Sequence, residues 1–166
     1  MFRRGKRPTP AGKTASQGAT MRSIVLELTS SEIGLSADPG NKVWGVVMDT
    51  GMSDGGWHSL VVLSDGTTSL YTSAAFGIIG AGMHESVRVS SDALLAGIEQ
   101  SLDLFAPATD KTIPASGTVA IRALTFDGPR ILLAKEGDLG HGHHSASPLF
   151  YAAQDVITAM RQVTPT

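Results

Sequence analysis

The stretch His58-Ser59-Leu60-Val61-Val62-Leu63-Ser64-Asp65-Gly66-Thr67-Thr68-Ser69-Leu70-Tyr71-Thr72-Ser73 decides the fold. Two runs rich in Leu, Val, Thr and Tyr flank an Asp-Gly pair. That pair closes a tight hairpin, because both central positions tolerate positive φ. Working outward toward the N-terminus, residues 42–49 carry Val43, Trp44, Val46, Val47 and Met48 and read as another strand. Residues 23–28, with Ile24, Val25 and Leu26 in a row, read as a first strand, and the segment between, with Gly34, Pro39 and Gly40, as a loop.

Toward the C-terminus, Ser90 or Ser91 is expected to cap a helix whose apolar stripe is Leu94, Leu95, Ile98, Leu102 and Phe105, with Pro107 ending it. A second hairpin is predicted over residues 117–125 and 130–135, turning at Asp127-Gly128-Pro129. Ser147 and Pro148 then open a last helix, where the missing proline N–H costs nothing. Its buried stripe is Leu149, Ala153, Val156, Ile157, Met160 and Val163. The expected order is β-β-β-β-α-β-β-α. It predicts a two-layer α+β fold: a mainly antiparallel six-stranded sheet with two helices on one face.

A chain of 166 residues is long enough to bury a sizeable core without metal or disulfide support. Cysteine is absent, which excludes thiolate chemistry and leaves imidazole and carboxylate as the strong candidates for catalysis or metal binding. The net charge of -2 conceals an asymmetry. Residues 1–22 hold six basic groups (Arg3, Arg4, Lys6, Arg7, Lys13, Arg22) and no acid; the rest holds seven basic groups against fifteen acids, a net of about -8. The expectation is a disordered basic tail over 1–22, with Met21 as a candidate first residue of the domain, and a single domain over 23–166. An acidic body argues against nucleic-acid binding by the folded domain.

The longest apolar stretch, residues 74–83, is ten residues with three glycines, short of the ~20 that a membrane-spanning helix needs. No apolar segment follows the basic start as a signal peptide requires, so a cytoplasmic location without membrane contact is expected.

Gly77-Ile78-Ile79-Gly80-Ala81-Gly82-Met83-His84 and Gly137-Asp138-Leu139-Gly140-His141-Gly142-His143-His144 share the pattern G-x-x-G-x-G-x-H, sixty residues apart. Each lies between an Asp-Gly hairpin and a predicted helix, which suggests an internal ββ-loop-α duplication. Glycines at 77, 80, 82, 137, 140 and 142 would let a ligand or another chain approach the backbone closely, or would gather N–H groups into an anion-binding nest. The plainer reading is that they make tight crossovers between sheet and helix. Neither loop matches a nucleotide-binding signature, since both lack G-K-[ST] and the strands look antiparallel.

Four of the five histidines lie in these loops, and His141-x-His143 places alternate side chains on one side if extended. His84, His143 and His144 with Glu85 or Asp138 are candidate ligands for a divalent transition metal. His84-Glu85 fails the H-E-x-x-H zinc pattern because position 88 is Arg. Gly51-Met52-Ser53-Asp54-Gly55 spells a nucleophile elbow, but a strand follows it where that motif needs a helix. Trp44, Trp57 and Tyr71 read as packing residues, and Arg88 and Arg122 as ion-pair partners or anion contacts. No complete catalytic set emerges. The sequence favours a non-enzymatic binding or assembly module, homodimeric or with a protein partner, that uses the two loops as one surface. The competing readings are a metal-dependent hydrolase or lyase and an anion or nucleotide sensor.

Overall fold

The computed structural model describes residues 15–74 and 77–164. Helix α1 (Ala15–Glu27) leads, through a 3-10 turn at Ser31–Ile33, to β1 (Val43–Gly51), β2 (Trp57–Leu63) and β3 (Thr68–Thr72). A 3-10 turn at Ala81–Met83 opens α2 (Glu85–Gln100), and β4 (Ala106–Pro107), β5 (Thr118–Thr125) and β6 (Gly128–Lys135) follow. The chain ends with the short α3 (Glu136–Gly140) and α4 (Ser147–Val163). Six strands form one antiparallel sheet in the order β3-β2-β1-β5-β6-β4, with helices packed on it, so the fold is α+β. Among the described residues no helix is long and apolar enough to cross a membrane.

Both hairpins form, but the second turns at Phe126-Asp127, with Gly128 and Pro129 already paired to Thr125 and Leu124 in β6, and in each Asp-Gly pair only the glycine takes a positive φ. Gly66 takes φ +98° and Gly128 φ +116°, a region that a side chain with a Cβ disfavours. Leu63 donates to the Thr67 carbonyl at 2.9 Å, and the Asp65 carboxylate accepts the Thr67 N–H at 2.9 Å. Every residue of β1 is buried. Its even positions Val46 and Met48 join Leu60, Val62, Leu94, Ile98, Val156 and Met160 in the core under α2 and α4. Trp44 and Val47 join Val61, Tyr71 and Val25 on the opposite face, under α1. Burial on both faces is why β1 reads as a continuous apolar run rather than an alternation. Each such side chain contributes about 1.5–3 kcal/mol by leaving water.

Three expectations need correction. Residues 23–28 are not a strand: 23–27 end α1, which also takes in residues 15–22 of the segment expected to be a disordered tail, Met21 and Arg22 among them. The adjacent β-branched or apolar Ile24, Val25 and Leu26 favour a strand locally. Helical spacing instead puts Met21 and Val25 together on the sheet while Ile24 faces out, and that burial decides. The rest of the expected tail, residues 1–14, lies outside the described residues. Helix α2 begins at Glu85, ahead of Ser90, because Val87 extends the buried stripe Ser91, Leu94, Ile98 by one turn, and it ends at Gln100, so Leu102 and Phe105 of the expected stripe lie beyond it and Pro107 belongs to β4. Ser91 is no cap but a buried residue whose Oγ lies 3.2 Å from Thr68 Oγ1. The sixth strand is the two-residue β4, pairing with Arg130 and Ile131. The observed order of elements is therefore α-β-β-β-α-β-β-β-α-α, and α1 covers the face opposite the two long helices.

Candidate functional site

Strand β3 is one edge of the sheet, and the first glycine loop lies along it. Ile78 exchanges both backbone hydrogen bonds with Leu70, at 2.8 and 2.9 Å, so the loop blunts that edge. The glycines permit the approach. A Cβ at Gly77 would stand 2.9 Å from the Leu70 carbonyl oxygen, and one at Gly82 would collide with the carbonyl oxygen of Gly66 in the β2–β3 turn. Gly80 takes φ +74°. What the loop shows to solvent is apolar: Ile79 is 67% exposed and Met83 76% exposed. Both rim a groove of about 560 Å³ between the loop, the β2–β3 turn and α2, which Tyr71 and Met21 also line, with Asp65 and Arg88 at its polar positions. His84 precedes α2 without a side-chain capping bond, and Glu85 is exposed in the first turn of that helix.

The second loop has a different build. Its first four residues fall in α3, so Gly137 and Gly140 are helical; a Cβ at Gly137 would meet nothing within 4 Å and one at Gly140 only Phe150, at 3.9 Å. The positive φ, +74°, falls instead at Gly142, the third glycine, whereas in the first loop it falls at the second. His141 Nδ1 lies 2.6 Å from the Gly137 carbonyl oxygen, and its ring stacks on His143 with centroids 6.0 Å apart and planes 27° apart. His144 Nδ1 accepts the N–H of Ala146 at 2.9 Å, so this ring braces the chain as it enters α4. The backbone N–H groups of His141, Gly142 and His143 donate to Gly137, Leu139 and Asp138, and in the first loop those of Ile78 and His84 donate to Leu70 and Ala81. Those donors are not free to form an anion nest.

The two loops sit at opposite corners of the sheet. The strands they leave, β3 and β6, are separated by β2, β1 and β5, about 19 Å at the usual strand spacing. Gly82 packs at the Gly66 end of β3, while the second loop departs from Lys135, which pairs with Thr118 at the other end. The expected ligands His84 and Glu85 are therefore not brought to His143 and His144. Among the described residues no group of three or more His, Asp or Glu side chains could hold a metal ion.

A polar cluster under α1 gives Arg122 the ion pair expected of it, with two residues that the sequence reading did not single out as partners, Asp49 and Arg22. Asp49, in the middle of β1, is fully buried. Arg22 grips it with two hydrogen bonds, Nε to Oδ1 at 2.9 Å and Nη2 to Oδ2 at 2.7 Å; Arg122 Nη1 and Ser59 Oγ also donate to it. Further guanidinium N–H groups find carbonyls of the 110–112 segment: Arg22 Nη2 to Lys111 at 2.7 Å, Arg122 Nε to Asp110 at 3.1 Å and Nη2 to Thr112 at 2.6 Å. Asp110, exposed next to this cluster, is held below the usual carboxylate range by Thr112, whose N–H and hydroxyl it accepts, with a further contribution from Arg122. The cluster fixes α1 and the 110–112 segment to the sheet. The visible sign was an acid inside an apolar strand, which demands a buried cation.

On the other face, His58 Nδ1 and Thr50 Oγ1 are buried without a hydrogen-bond partner among the described residues. The two residues are directly opposed across β1 and β2. Burial lowers the His58 pKa; Glu136 opposes that shift, Arg161 adds to it and Asp49 opposes it. No family model, curated protein or solved structure matches this chain.

Proposed function

We propose that the domain is a protein-binding module, and that its docking surface is the groove beside the first glycine loop. The observation that carries this reading is the exposure of Ile79 and Met83 on a loop hydrogen-bonded to the sheet edge. Large apolar side chains held in fixed positions next to a groove are what an apolar anchor from a partner needs. Val89, one turn into α2, is a further exposed apolar side chain close in sequence. Arg88 lines the same groove and makes no salt bridge among the described residues. The partner that fits is a peptide segment carrying an apolar residue beside a carboxylate.

The metal-dependent hydrolase or lyase reading draws no support from the geometry, because its ligands come from opposite corners. Anion or nucleotide sensing draws little, because the loop N–H groups named above are already bonded.

A displayed random-peptide selection on the full chain tests the proposal, with the Ile79→Asp/Met83→Asp double variant as counter-target. The expected result is enrichment of sequences that pair an apolar residue with Asp or Glu. Their affinity should drop about tenfold or more on the double variant, the loss of one or two buried apolar anchors, and less on Arg88→Ala. Peptides bound equally by both proteins would overturn it. A chain that sediments as a dimer, with the double variant a monomer, would replace the peptide by a second copy.

A further inference from the structure

We propose that His141 and His143 form a two-histidine site for a divalent transition-metal ion, with water in the remaining coordination positions. The site differs from the set expected from sequence, since it takes His141 and leaves out His84, Glu85 and His144. Three observations carry it. First, a carbonyl oxygen only accepts, so the 2.6 Å contact to Gly137 puts the proton of neutral His141 on Nδ1 and leaves the Nε2 lone pair available. A backbone carbonyl holding the other ring N–H is the support that metal-binding imidazoles have in known centres, where it fixes the tautomer and raises basicity. Second, the His143 ring lies against that of His141, centroids 6.0 Å apart and planes 27° apart, and both residues are exposed, so rotation of the His143 side chain about its own torsions brings a ring nitrogen to an ion held at His141 Nε2. Third, His144 accepts the Ala146 N–H through Nδ1, which places its own proton on Nε2 and removes both nitrogens from coordination.

The surrounding backbone holds the pair in register. His143 N–H donates to the Asp138 carbonyl at 2.9 Å, and Tyr151 OH donates to the Gly140 carbonyl at 3.1 Å, tying the loop to α4. Two imidazoles and no thiolate select Cu2+, Ni2+ or Zn2+ over Mg2+ or Ca2+, with Cu2+ held more tightly than Zn2+.

Calorimetric titration of the tag-free full chain with Zn2+, and then with Cu2+, tests the site. The expected result is one ion per chain. His141→Ala and His143→Ala should each weaken binding about tenfold or more, while His144→Ala and His84→Ala stay within about threefold of the parent. These side chains are exposed or half-buried, so an unchanged thermal midpoint serves as the folding control. Absence of saturable binding at one equivalent, an undiminished affinity in His141→Ala, or a loss in His144→Ala or His84→Ala as large as in His141→Ala would overturn the proposal.

Discussion

Asp49 and Thr50 are neighbours in β1, both are buried, and they face opposite sides of the sheet. Under α1, Asp49 has a partner for each carboxylate oxygen: Arg22 and Ser59 on Oδ1, Arg22 and Arg122 on Oδ2. Under α4, Thr50 Oγ1 and the facing His58 Nδ1 have none among the described residues. A buried charge survives only where its donors and acceptors are matched, so the α1 face holds its charges by geometry that the whole cluster must supply together. The α4 face is apolar enough to carry the fold with one polar pair left unmatched, and each unmatched buried group costs about 1–3 kcal/mol.

The largest effect is expected from breaking the matched face. Asp49→Asn keeps the size of the side chain but leaves two buried guanidinium groups without their counter-charge. Urea unfolding should show a loss of about 3–5 kcal/mol. Arg22→Met should cost less, because it leaves Asp49 and Arg122 as a balanced pair. The comparison fails if Asp49→Asn costs under about 1 kcal/mol, a typical exposed-pair value, since the cluster would then be solvated, or if Arg22→Met proves the more damaging of the two.

Thr50→Val tests the unmatched face. Valine keeps the β-branched shape and removes the orphan hydroxyl, so the same unfolding measurement should show a gain of about 1 kcal/mol. A loss of similar size would mean that the hydroxyl is satisfied by a bridging water shared with His58, and the two faces would then be alike in matching their polar groups.

What was legible in the sequence follows the same division. The Asp65-Gly66 and Asp127-Gly128 turns and the stripes of α2 and α4 could be read because each depends on residues within a few positions of one another. Helix α1 could not, since its burial rests on Trp44, Val61 and Tyr71, and its Arg22 meets Asp49 27 positions away. Asp49 announced that some cation would be buried with it, but not which. The glycine loops show the limit most plainly. Their letters agree, yet Gly82 is set by the Gly66 carbonyl lying against it while Gly137 has nothing near it. A shared pattern of glycines did not specify a shared backbone, because the neighbours that give each glycine its role come from elsewhere in the chain.

The smallest effect is a pH dependence that only the unmatched face should carry. His58 is kept neutral chiefly by burial, with Arg161 acting in the same sense and Glu136 and Asp49 against it. Its folded pKa therefore lies below the unfolded value of about 6.5. Above that value His58 is neutral in both states and its contribution is complete. As pH falls below it, the unfolded chain takes up the proton first, so stability declines until the folded pKa is passed and then levels. Urea midpoints should fall between pH 7.5 and pH 5, above the range where the carboxylates titrate. His58→Gln should flatten that slope while leaving the Asp49→Asn penalty unchanged at pH 7.5, since the two residues act on opposite faces. An equal slope in His58→Gln would place the pH sensitivity on another group and leave the α4 face without a titratable weak point.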